Sequence, residues 1–209
     1  GVASCRKDGT LYAWGGRYSS GQSEQYFDQL WSMDLGVAAE LKTVTVKLEK
    51  CTGNSPPPKF WCTLTHCNNR LFLYGGAQWK VGGKTEPSSD MHILDIKTLT
   101  WTLLEQDLVP RARMQHSSMV LSDTLLLVMG GYDGRNREYL GHKDFAVLNL
   151  QTNHWVVGAK YGKDEEPELE AEPERRDPVI NYTLEEVSDG IENGYVCGVV
   201  PGKRSGMIM

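Results

Sequence analysis

The residues able to do chemistry in this chain are few and scattered. Arg113, His116 and Ser117 bring a cation, an imidazole and a hydroxyl close together, the residue types of an acid–base pair. Glu86-x3-Asp90-x-His92 sets two carboxylates beside an imidazole. In an extended stretch Asp90 and His92 face the same side, as two metal ligands must. His142 and His154 have no second ligand at useful spacing. The chain holds no Gly-rich phosphate loop, no nucleophile elbow and no paired catalytic carboxylates. Its five cysteines, Cys5, Cys51, Cys62, Cys67 and Cys197, form no C-x-x-C, and Cys62-x4-Cys67 is not a preferred zinc spacing. An odd number of unpatterned cysteines reads as reduced, partly buried thiols, which points to a reducing, cytoplasmic compartment.

What must position these residues is a chain of 209, with 40% hydrophobic and 23% charged residues and a net charge of −5. That is enough apolar material for a core and excludes wholesale disorder. The strongest apolar run, Leu125–Met129, has the length of a strand and falls far short of a membrane helix. The opening Gly1-Val2-Ala3-Ser4-Cys5-Arg6 is no signal peptide and lacks an initiator Met, so a fragment boundary is expected there. The charge is unevenly placed. Residues 161–209 hold 12 acidic and 5 basic side chains, while residues 1–160 hold 15 and 17. Neither part is basic enough for nucleic-acid binding. Seven carboxylates within Asp164–Glu174, broken by prolines, read as a solvated linker, and the 161–209 stretch is expected to be an acidic linker and tail, with one further strand at Gly194–Gly202 or none.

The rest is a repeat. Leu11-Tyr-Ala-Trp-Gly15-Gly16, Leu71-Phe-Leu-Tyr-Gly75-Gly76 and Leu126-Leu-Val-Met-Gly130-Gly131 lie 60 and 55 residues apart. A second apolar run follows each pair and reaches Asp34, Asp95 or Asn149 about 18–19 residues on. Six residues later come Trp101 and Trp155. In the first copy Val44 or Val46 takes that place. Each run has strand length and is rich in aromatic or β-branched residues. The runs before Gly-Gly are apolar on both faces, as in central strands of packed sheets. Gly-Gly lets the chain leave through positive φ, Asp95 and Asn149 sit where short side chains bond turn amides, and the two Trp are placed to fill space between adjacent sheets.

The Gly-Gly pairs, the Asp90-x4-Asp95 and Asp144-x4-Asn149 spacings, the two Trp and Pro110-Arg-Ala-Arg-Met-Gln-His116-Ser117 together resemble the kelch repeat, the blade unit of kelch-type β-propellers. The resemblance covers about residues 1–160 and implies an all-β fold with three four-stranded blades, at about 1–50, 51–105 and 106–160. Three blades fall short of the usual ring of about 4–8, so the remainder is expected from elsewhere in a longer chain or from another chain. Copies two and three align without a gap from Pro56/Arg111 to Gly76/Gly131, which sets Trp61 opposite His116. Gly1 falls at the same place, so blade one is expected to begin inside its innermost strand.

The resemblance also implies function. Kelch domains act as protein-interaction scaffolds or substrate-recognition modules and bind through loops on one face. Here those loops are 17–27, 77–89 and 132–143 after each Gly-Gly, and 50–60 and 105–113 between blades. Arg17, Tyr18, Trp79, Lys80, Tyr132, Arg135, Arg137 and Tyr139 lie there, with Tyr26 and Lys84 beside them. Tyr, Trp and Arg are the types that anchor interfaces. The basic side chains favour a protein partner offering an acidic peptide or loop. The resemblance makes His116 a blade-opening residue bonding backbone between blades, and Asp90 a repeat position shared with Asp144. The alternative is a metal-dependent enzyme of the kelch class. An iron site would need a Glu/Asp cluster whose spacing Glu86, Asp90 and His92 do not match, and a copper site would need two His and a Tyr converging at the ring centre. The expectation is therefore a non-enzymatic binding module without cofactor.

Overall fold

The computed structural model describes residues 3–162 except 22, 36–43, 81–83, 107, 135–138, 141–143 and 159. Among the described residues every regular element is a strand. The first repeat holds β1 (Ala3–Lys7), β2 (Thr10–Trp14), β3 (Arg17–Ser19), β4 (Glu24–Tyr26), β5 (Leu30–Asp34) and β6 (Thr45–Glu49). The second holds β7 (Thr52–Gly53), β8 (Lys59–Phe60), β9 (Thr63–Cys67), β10 (Arg70–Tyr74), β11 (Ala77–Lys80), β12 (Lys84–Pro87), β13 (Met91–Asp95) and β14 (Thr100–Leu104). The third holds β15 (Leu108–Pro110), β16 (Ser117–Ser122), β17 (Leu125–Met129), β18 (Phe145–Asn149), β19 (His154–Gly158) and β20 (Lys160–Gly162).

Each repeat folds as an antiparallel four-stranded meander: β1-β2-β5-β6, β9-β10-β13-β14 and β16-β17-β18-β19. In the second, β7 adds a short parallel pairing to the outer strand β14. Small sheets stand apart from the blades: β3-β4, β8-β11-β12 and β15-β20. The second strand of the middle blade is apolar on both faces, and both faces are covered. On β10, Leu71 and Leu73 pack with Trp14, Leu30, Leu94 and Trp101 toward the first blade. Phe72 and Tyr74 pack with Leu126, Val128, Leu148 and Trp155 toward the third. The period of two along one strand thus feeds two separate cores. Both tryptophans named from spacing fill those cores. Trp101 meets Trp14 edge-on at 6.4 Å, and Trp155 meets Tyr74 edge-on at 5.2 Å. Such pairs add about 0.5–1.5 kcal/mol each beyond their burial.

The turn residues act as their spacing implies. The Asp95 carboxylate accepts the Lys97 and Thr98 amides at 2.8 and 3.0 Å, and the Asn149 side-chain oxygen accepts those of Gln151 and Thr152 at 2.9 and 3.0 Å. In the first blade Val46 lies opposite Met33, as Trp101 lies opposite Leu94, so Val46 and not Val44 holds the tryptophan position.

Two register expectations are corrected. The second and third repeats do not align without a gap: β16 pairs with β17 through a bulge between Val120 and Ser122, so Leu121 is one extra residue. Ahead of the bulge the repeat offset is therefore one shorter than after it. Lys59 becomes the counterpart of Arg113, Phe60 of Met114, Trp61 of Gln115 and Cys62 of His116. The first blade's innermost strand is also whole: Ala3–Lys7 pairs with Trp14–Thr10 at all five positions.

Candidate functional site

The segment before the innermost strand of the second and of the third repeat carries a buried cation. Lys59 and Arg113 are almost fully buried, and both do the same work. The main chain of each reaches back to the preceding blade: the Lys59 carbonyl accepts the Gly16 amide at 3.0 Å, and the Arg113 carbonyl accepts the Gly76 amide at 2.8 Å. The side chain of each reaches into its own blade. Lys59 Nζ meets Ser88 Oγ at 3.0 Å and Asp90 Oδ2 at 3.3 Å. Arg113 donates to Asp144 Oδ1 at 2.6 Å and to the Gly130 and Asp144 carbonyls at 3.1 and 3.0 Å. Burial pushes the Lys59 ammonium down, against the pull of Asp90. Burial alone raises Asp90, but Lys59 and Ser88 outweigh it and hold its carboxyl below the usual range. These pairs bolt blade to blade, and Asp90 and Asp144 are indeed one repeat position.

This settles the residues that resembled a catalytic set. His116 is buried, stands edge-on to Tyr74 at 5.3 Å, and shares a hydrogen bond between Nε2 and Thr63 Oγ1 at 2.9 Å. It joins two blades as expected, but through a hydroxyl and not through backbone, because its ring enters between two innermost strands. Burial, then the nearby Arg113, hold its pKa down at about 3. His92 is buried too, with its pKa lowered to about 4 by burial and Lys59. Asp90 is engaged by Lys59, and Glu86 is exposed on β12. Among the described residues no three His, Cys, Asp or Glu side chains gather as a metal site needs.

The loops after Gly-Gly build something else. β3-β4 and β11-β12 are hairpins, and β8 lies along β11. Together they bring rings into a row. Trp79 stacks on Tyr26 at 5.1 Å and 27°, Tyr26 leans on Phe60 at 5.7 Å, and Phe60 meets Trp61 edge-on at 4.6 Å. The Arg17 guanidinium lies over the end of the row, 5.0 Å from the Phe60 centroid and 5.8 Å from that of Trp61. Phe60 is the buried floor, while Trp79 is 45% and Trp61 36% exposed. Trp61 has a φ of +58°, a left-handed conformation shared by its counterpart Gln115 at +56°. Arg17 is held only loosely, 3.9 Å from Glu24, which also accepts the Tyr26 hydroxyl. Burial and that bond to Glu24 raise the Tyr26 pKa.

Of the residues nominated from sequence, Arg17 and Trp79 therefore come together through Tyr26 and Phe60. Tyr132 and Tyr139 pair at 5.8 Å on the next repeat, with the Tyr139 hydroxyl 3.5 Å from Gln115. Tyr132 packs with Met114 on the same apolar floor as Phe60 and Tyr26. Tyr18 and Lys80 stand exposed on β3 and β11. Arg135 and Arg137 lie outside the described residues. Sequence reasoning missed Phe60 and Trp61. The ungapped alignment set Trp61 opposite His116, a scaffold position, and so hid it.

Meander blades packed face to face, with binding types gathered on the connecting loops, define a kelch-type β-propeller architecture. The chain belongs to the KLHDC2/KLHL20/DRC7 Kelch-repeats domain family, whose model matches residues 1–170. Kelch-repeat domains generally act in protein–protein interaction or substrate recognition. The chain is similar to acyl-CoA-binding domain-containing proteins 4 and 5 of Arabidopsis thaliana, at 29% identity over 121 residues and 30% over 120. These matches cover 57% and 56% of this chain and 17% of each relative. The negative regulator of sporulation PMD1 of Saccharomyces cerevisiae is 25% identical over 131 residues, 59% of this chain and 7% of that protein. The chain thus spans under a fifth of the length of these relatives. Among solved structures YjhT superposes with a TM-score of 0.55 at 16% identity, over 77% of this chain and 51% of that one, a likeness of fold.

Proposed function

We propose that the chain is a protein-recognition module that takes a segment of a partner, an acidic peptide or loop, on the surface formed by Arg17, Tyr26, Trp61 and Trp79. The observation that carries this reading is the row of rings, exposed at Trp79 and Trp61, that ends in a guanidinium 5.0 and 5.8 Å from two ring centroids. Large aromatic area costs little conformational entropy to present, and Arg is the cation best suited to a carboxylate. Lys80 beside Trp79 adds to the positive character, and Tyr132 and Tyr139 extend the surface toward the third repeat. We place the module in a reducing, cytoplasmic compartment, supported by the free thiols Cys5, Cys51, Cys62 and Cys67.

The test is affinity capture of a partner from native extract with the full chain, Trp79→Ala and Arg17→Ala. Both side chains are exposed enough for the fold to survive their loss, which thermal melting verifies. Capture is expected to fall at least tenfold in either variant. Unchanged capture with intact folding removes this surface from the function.

A further inference from the structure

Among the described residues, one face of the first blade and one face of the third pack against no further blade. On the first blade Trp14 and Leu30 pack toward the second blade, so the alternation along each strand turns Trp31, Met33, Val46 and Leu48 the other way. On the third blade Leu126, Val128 and Trp155 pack toward the second, which turns Met119, Leu127, Met129 and Phe145 outward. Trp31, Val46, Leu48 and Met119 are exposed, whereas no large apolar side chain is exposed on β9, β10, β13 or β14 of the middle blade. Exposed apolar faces of this kind mark contact surfaces.

The seam that would cover them already occurs twice in the chain. The residue before Gly-Gly on one blade meets the outer-strand tryptophan of the next: Trp14 meets Trp101, and Tyr74 meets Trp155. The next member of that series pairs Met129, which precedes Gly130, with Val46, which holds the tryptophan position of the first blade. Both halves of the seam are thus present, at opposite ends of a row of three blades that is too short to close on itself.

We propose that a second copy of this chain covers both faces: Met129 of each copy packs on Val46 of the other, and two sets of three blades close one six-bladed ring about a two-fold axis. Two seams then form at once, and each repeats the seams inside the chain. Six blades fall within the usual range of about 4–8, whereas a ring of three copies would hold nine. The acidic 161–209 stretch is a poor cover, because its carboxylates would lose their water against an apolar sheet. Val46 is smaller than the tryptophan of the two internal seams, so the joint between copies is weaker than the joints within one.

Sedimentation equilibrium of the full 209-residue chain is expected to give the mass of two copies and no larger species. Val46→Trp restores the repeat residue in a seam whose facing residue, Met129, is smaller than Trp14, and should lower the dissociation constant of the pair about tenfold or more. Val46→Glu should leave single copies. Met129→Lys added to it should restore the pair, since the two charges then face each other across the seam. Both side chains lie on uncovered faces, so the blades should fold in every variant, which circular dichroism verifies. A single copy at concentrations up to about 100 μM overturns the proposal and assigns the two faces to further blades or to another protein. A mass of three or more copies, or one that keeps growing with concentration, overturns closure by two. Failure of Met129→Lys to rescue a folded Val46→Glu chain means that the faces meet in another pairing, and overturns it as well.

Discussion

Lys59 and Arg113 occupy equivalent posts, yet their loss should not cost the same. Arg113→Ala leaves Asp144, whose side chain is only 15% exposed, with Arg111 at 3.5 Å, and takes a buried donor from the Arg111, Gly130 and Asp144 carbonyls. Breaking a buried pair from one side costs about 3–5 kcal/mol. Asp90 is 40% exposed on its side chain, so water can take over for Lys59, and Lys59→Met should cost clearly less. Urea unfolding of the two variants measures the order, and equal losses would refute it. The buried histidines set the acid limit. His92 faces Lys59 and Asp90, and His116 faces Arg113, Thr63 and Tyr74. Both Nδ1 atoms are buried without a hydrogen-bond partner among the described residues. Their folded pKa values, about 4 and about 3, lie below the unfolded value near 6.5. The unfolded chain therefore binds protons first. Stability is complete above about pH 6.5 and falls as pH drops toward 4, by about 1.4 kcal/mol per pH unit for each histidine. His92→Leu, set between Leu73 and Leu103, should remove about half of that slope in denaturation curves between pH 6 and 5. The blade-joining role of His116 was legible through the resemblance, but its partner was not: spacing along the chain cannot show that Thr63 faces its ring or that Arg113 clamps a carboxylate.

At the scale of elements the repeat was legible and its one irregularity was not. Gly-Gly, Asp/Asn and Trp recur where the strands end and turn, so period and strand order followed from spacing. Leu121 did not announce itself, because the bulge adds one residue to a short apolar run, Met119-Val120-Leu121. It decides which residues correspond, and hence why Trp61 lies beside Arg17 on the loop surface and not between strands. Deleting Leu121 should make β16 resemble the five-residue β9 and lower the melting temperature by only a few degrees. Deleting Thr65 from β9 shifts the preceding residues to the opposite faces and should prevent folding. If both deletions melt alike, the bulge is not the extra residue. The glycine pair separates backbone conformation from close approach. Gly130 and Gly131 have φ of +66° and +98°, but a Cβ on Gly131 would sit 2.7 Å from the Met114 carbonyl and 2.8 Å from the His116 Cβ, whereas one on Gly130 meets nothing nearer than 4.0 Å. Gly130→Ala should cost about 1–2 kcal/mol, the left-handed penalty alone. Gly131→Ala must also push the Met114–His116 segment off its own blade and should cost more, as calorimetry of both variants will show.

Across the whole molecule the net charge changes sign near β20. Residues 1–160 carry two more basic than acidic side chains, and residues 161–209 carry seven more acidic than basic. The described elements end at β20, which pairs with β15, so a chain ending at Gly162 keeps every one of them. Ligand selection by Arg17 and the rings is local, but the approach of an acidic segment responds to the summed field, and seven net negative charges tethered to the blades oppose it. Removing residues 163–209 should therefore speed association of an acidic peptide roughly threefold or more at low ionic strength. The dissociation rate should not change, because no contact of the ring row is altered. At 0.5 M salt the screening length is well under the ~10 Å of 0.1 M, and the two chains should bind at the same rate. Stopped-flow anisotropy at both salt concentrations decides this. A difference that persists at high salt, or one that lies in dissociation, would mean that the acidic segment acts by contact with the recognition surface and not through its field.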